Sequence, residues 1–148
     1  MVKQNEQKEH NVFIKPNFKS YTLVMLACVR TTRHLTTAEK RKCFEITMRT
    51  FEDLAKCDNG LKPGSISYRI MLTACSCLLP PGKEQQHHIG AIFDHCSRVG
   101  VVDKLIYSAF TETADKDTFA LKVGRDKPTW QDLPVEWRKN SKDFKDLQ

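Results

Sequence analysis

Lys15, Pro16, Ser20, Tyr21, Ala27 and Cys28 recur as Lys62, Pro63, Ser67, Tyr68, Ala74 and Cys75, each 47 residues further along the chain. A constant offset of this size is the signature of a repeat architecture, in which each unit buries its apolar face against the next. The register carries more information than the identities. Tyr21, Val24, Met25 and Cys28 fall at i, i+3, i+4 and i+7, and Tyr68, Met71, Leu72 and Cys75 repeat that spacing. Each copy therefore predicts an amphipathic helix, and both helices face the same kind of neighbour.

Start and stop signals extend each helix into a pair. Pro16-Asn17 opens a helix from Phe18 to about Thr31, in the manner of a proline near a first turn. Thr36-Thr37-Ala38-Glu39 has the Thr-x-x-Glu form of a capping box and starts the partner helix. Its apolar stripe is Phe44, Met48, Phe51 and Ala55, widened by Cys43, Thr47 and Leu54. Asp58-Asn59-Gly60 stops it with residues that tolerate left-handed backbone. The second pair is predicted as Ser65 to Leu79 and Lys83 to about Arg98, separated by Pro80-Pro81-Gly82. Gly100 then takes the place of Gly60, and Val102 to Ala114 reads as the opening half of a third pair.

The periodicity fades beyond Ala114. Asp115-Lys116-Asp117 and Lys127-Pro128-Thr129-Trp130 read as loop, and Trp130 and Trp137 flank Leu133-Pro134. A terminal apolar face needs covering, and two indoles on a proline-stiffened segment can supply the cover; an aromatic contact for a partner is the other reading. With 148 residues, 40% hydrophobic and 28% charged, one core is expected and a second domain is not. The expected organisation is a flexible segment 1–14, helical repeats over 15–114 and an irregular tryptophan-containing cap over 115–148.

The run Leu23 to Val29 is too short to span a bilayer, so no membrane partner is expected. Residues 1 to 15 contain no apolar stretch of signal-peptide type and no arginine, and no transit peptide is visible in them. Cys28, Cys75 and Cys96 fall in apolar stripes, where a reduced thiol behaves as a small hydrophobe. Residues 1 to 37 carry six basic and two acidic groups, whereas residues 99 to 148 carry nine of each. Affinity for a polyanion should therefore lean toward the N-terminal half.

His87-His88, His95-Cys96 and Cys75-x-Cys77 hold zinc-type ligands. Residues one or two apart on a helix diverge, and no Cys-x-x-Cys pair occurs, so no metal is expected. The chain also lacks the Gly-x-Ser-x-Gly, His-Glu-x-x-His and glycine-loop patterns of common catalytic centres. No cofactor and no enzymatic activity are expected.

The run Gly60-Leu61-Lys62-Pro63-Gly64-Ser65-Ile66-Ser67-Tyr68, followed by Met71 and Leu72, resembles the pentatricopeptide repeat. The resemblance covers about residues 15 to 114, with units longer than the family's usual one. Leu133-Pro134 with Glu136-Trp137-x-x-Asn140 is similar to C-terminal tails of such proteins in algae. The resemblance implies an all-α, short right-handed α-α superhelix and non-catalytic binding of single-stranded RNA in organellar RNA processing or stability. The compartment would then be a mitochondrion or chloroplast, and the chain would be a short member or a C-terminal portion.

By position, the base-reading residues would be Thr22 with Gly64 in the first unit and Arg69 in the second. The wedge between bases would be Ile66, with Lys19 as its counterpart. Arg30 and Arg33 add positive charge at the end of the first helix. The alternative is a protein-interaction scaffold of the helical-repeat type, in which Met25, Met71 and the tryptophan tail would carry a partner.

Overall fold

The structure, a computed structural model, describes residues 15–57, 60 and 62–148. The expected flexible segment 1–14 and the stop residues Asp58 and Asn59 lie outside the described residues, as does Leu61.

Both strong cap signals in the sequence form as capping geometry. Asn17 Oδ1 accepts from the Ser20 backbone N–H at 2.9 Å and from its hydroxyl at 3.0 Å, which starts α1 (Phe18–Arg30). The capping box closes with Thr36 Oγ1 accepting from Glu39 N at 3.2 Å and Glu39 Oε2 accepting from Thr36 N at 2.8 Å. It opens α2 (Thr37–Ala55), after a single 3-10 turn at Thr32–His34. On α2 Phe44, Thr47 and Leu54 are buried, while Ala55, expected on the stripe, is exposed.

The helix α3 (Ser65–Leu78) starts 47 residues after α1, so the repeat in the letters is a repeat in the backbone. α4 (Lys83–Val99) follows, and α5 (Lys104–Thr113) is shorter than expected because Asp103 caps it, accepting from Ile106 N at 2.8 Å.

The described residues form helices joined by turns and loops and include no strand. α3 is the central element and packs against α1, α2, α4 and α5, so the first helices of successive pairs lie side by side. The second helices are joined by side chains. Arg41 of α2 donates to both oxygens of Glu84 of α4 at 2.5 and 2.9 Å. Phe44 meets His88 edge-on at 5.1 Å.

The reading of 115–148 as irregular needs correction. Lys116–Val123 is a helix, α6, which completes the third pair and packs on α4. Asp115 caps it by accepting from Thr118 N at 2.7 Å, and Lys122 bridges to Asp94 of α4 at 2.5 Å. The helix has only eight residues and buries only Phe119 fully, so it offers too few turns for periodicity to reveal it.

The remaining tail is a 3-10 turn at Trp130–Asp132 and two short helices, α7 (Val135–Arg138) and α8 (Lys142–Lys145). Trp130 is 5% exposed, and its Nε1 donates to Val102 O at 2.8 Å. Trp137 stands edge-on to Phe93 of α4 at 5.8 Å. Its carbonyl accepts from Val102 N at 2.8 Å, while Asn140 N donates to Gly100 O at 2.9 Å. The Arg138 side chain, 9% exposed, donates from Nε to Leu133 O at 2.8 Å and lies over the Trp130 ring. The tail thus covers the junction between α4 and α5, where Gly100 turns the chain at φ +82°.

Candidate nucleic-acid interface

A helix face that survives packing is available to a ligand, so the candidate residues divide by burial. Lys19 and Arg30 are exposed on α1, Arg33 is exposed in the turn that follows, and Ile66 and Arg69 are exposed one turn apart on α3. Ile66 keeps 51% of its surface in water. None of the four cations forms an ion pair with a described residue. Each can therefore meet a phosphate without first losing a partner among the described residues.

Thr22 must be withdrawn from the set. It is buried at 9% exposure, and its hydroxyl donates to Phe18 O at 2.9 Å. A threonine can satisfy its own hydroxyl on the preceding turn of its helix, so polarity at this position does not imply an outward-facing donor. Gly64, its expected companion, sits at the N-cap of α3 and has no side chain to offer.

The same row extends onto α5 through residues the sequence reading did not single out. Tyr68 and Tyr107 occupy the same place near the starts of α3 and α5, and Ile66 and Arg69 correspond there to Leu105 and Ser108. Leu105 and Ser108 are both exposed. The Ser65 hydroxyl donates to Asp103, the residue that caps α5, so the N-termini of α3 and α5 are pinned together. This bond ties the start of α3 to the start of α5, and the two helices pack against each other. The signal was present as the tyrosine at equal depth in both helices, but the unit between them is 39 residues rather than 47.

Positive charge falls away along this row. Ser108 Oγ donates to Glu112 at 3.2 Å on α5, whereas α1 and the turn after it contain no carboxylate. The basic end is the one the charge distribution of the sequence leads one to expect.

Beneath the row lie the groups considered for metal chemistry. Tyr68 Oη and His95 Nδ1 are 3.0 Å apart, and burial lowers the pKa of His95. His88, also pushed down by burial, packs on Phe44. Cys75 is buried and its thiol is pushed up to about 12, while Cys77 is exposed. Among the described residues no three histidine, cysteine or carboxylate side chains converge as a metal site would require. Likewise, no helix among them is long and apolar enough to cross a membrane.

Of the contacts expected for a protein scaffold, the edge of Trp137 is half-buried and the others are withdrawn from the surface. Met25 and Met71 are both fully buried, and Trp130 is committed to Val102.

Comparison with known proteins gives no matching family model, no matching curated protein and no matching solved structure.

Proposed function

We propose that this chain is a short α-α solenoid of the pentatricopeptide type that binds single-stranded RNA without catalysing a reaction. The observation that carries the reading is the register of α3 and α5. Each offers an exposed aliphatic residue and, three positions on, an exposed polar one, and the Ser65–Asp103 bond ties the starts of the two helices together. Splayed bases stack against aliphatic and planar groups, and polar side chains reach their edges. Lys19, Arg30, Arg33 and Arg69 supply the backbone contacts. With the family resemblance comes a role in organellar RNA processing or stability, with further repeats or a partner extending the row.

The test is fluorescence anisotropy of labelled single-stranded RNA and duplex DNA at two salt concentrations. Four phosphate contacts give a log–log salt slope of about −3 for a single strand. Preferential RNA binding with such a slope supports the reading. Absence of binding by the folded chain, or an affinity indifferent to salt, refutes it.

A further inference from the structure

Internal repeats let one copy report what the other lacks. Leu23, Val24 and Ala27 of α1 correspond, 47 residues on, to Ile70, Met71 and Ala74 of α3. The α3 residues are 5%, 0% and 0% exposed, whereas Leu23 and Val24 are 55% and 45% exposed and Ala27 is also exposed. The difference lies in what stands alongside. Ile70 and Met71 are covered by Met25, with Leu26 and Val29 of α1 and Met48 and Phe51 of α2 packed around them. Nothing among the described residues covers the matching face of α1.

We propose that this face of α1 seats an amphipathic helix of a partner polypeptide, with a methionine, leucine and phenylalanine stripe and acidic residues beside it. The apolar part follows from the internal interface, which shows what this helix face accepts in the same protein. The acidic part follows from charge. Lys19 and Arg30 flank Leu23 on the exposed side of α1, and residues 15 to 38 contain Lys15, Lys19, Arg30 and Arg33 but no carboxylate. A second copy seated by its own α1 would bring these cations against one another, which the low cost of a carboxylate-bearing partner avoids. Helix-on-helix seating of this kind uses anchors at i, i+3, i+4 and i+7. Leu23, Val24 and Ala27 contribute nothing to the RNA reading, whereas Lys19 and Arg30 are shared with it, so the serine variant is the one that separates the two.

The probe is a synthetic helix of about 20 residues, long enough to be helical in water, with a Leu/Met stripe flanked by glutamates. A twin carries lysines in place of the glutamates. Binding of each to the full chain is measured by anisotropy, with sedimentation of the chain alone in parallel. The glutamate helix is expected to bind at least about tenfold tighter than its twin. Leu23→Ser/Val24→Ser and Lys19→Gln/Arg30→Gln should each weaken binding by about tenfold or more. All four residues are exposed, and circular dichroism checks that both variants keep their helicity. No binding, equal binding of the twin, or unchanged binding by the serine variant overturns the proposal. Dimerisation of the chain abolished by the serine variant also overturns it, by making a second copy the occupant.

Discussion

Tyr68 on α3 and His95 on α4 share a hydrogen bond of 3.0 Å that ties the two helices of the central pair beneath the exposed row. Burial raises the tyrosine pKa and lowers that of the imidazole. The hydroxyl therefore keeps its proton beside a neutral ring, and the tautomer of the imidazole sets which of the two donates.

Burial of His95 and His88 makes stability depend on pH with a definite sign. Burial first, and Arg98 second, hold His95 below its ordinary value of 6.5, and burial also leads the lowering of His88. The unfolded chain then binds more protons than the folded one in mild acid. The stabilising contribution is complete above 6.5 and is lost as pH falls through the lowered folded values. The urea midpoint should fall between about pH 7.5 and about pH 5. In the His88→Gln/His95→Gln variant the fall should be smaller, and an identical fall would remove these histidines as its cause.

Gly100→Ala should destabilise the protein by about 1–3 kcal/mol. Gly100 has φ +82°, and an added Cβ would lie 2.9 Å from Glu136 O and 3.0 Å from Asn140 Nδ2. Both atoms belong to the tail, so strain in the turn and displacement of the tail act together. Urea denaturation measures the loss. A midpoint equal to that of the parent would show that the tail does not hold this turn.

Trp130→Phe keeps most of the apolar volume but leaves Val102 O without the bond it accepts at 2.8 Å. A buried acceptor left unpaired costs about 1–3 kcal/mol. Trp130→Ala should cost about 3–5 kcal/mol, since it also opens a cavity. Chemical denaturation of the two variants separates the hydrogen bond from the packing.

For the RNA reading, Arg69→Glu should reduce affinity at least about tenfold and make the salt slope shallower by about 1. Thr22→Val should leave affinity unchanged, because its hydroxyl is already bonded to Phe18 O. Leu105→Ser should weaken binding less than Arg69→Glu, since it removes no phosphate contact. A Thr22→Val effect as large as that of Arg69→Glu would contradict the burial-based division of the candidates.

The five longer helices were legible because each presents several turns of apolar spacing and a recognisable start. Asn17 and the Thr36–Glu39 box act locally, and local chemistry survives into the fold. α6, α7 and α8 were not legible, because short helices depend on what they rest against. Asp115 was nonetheless a readable cap, with Thr118 three residues on. Thr22 failed for a different reason. Equivalence by offset placed it with exposed Arg69, but the short threonine side chain turns its hydroxyl back onto Phe18 O, whereas the longer arginine is exposed to water.

Chain synthesis gives the tail a further consequence. Trp130, Leu133 and Trp137 leave the ribosome only after α1 to α6 have been made, yet they cover the ground around Phe93 and Val102. A nascent chain therefore acquires its helices before it acquires the lid over them, and passes through a stage at which that apolar ground is bare. Such ground binds chaperones or other unfinished chains. A premature stop after Val123 would hold the molecule at that stage, with the ground around Phe93 and Val102 left bare.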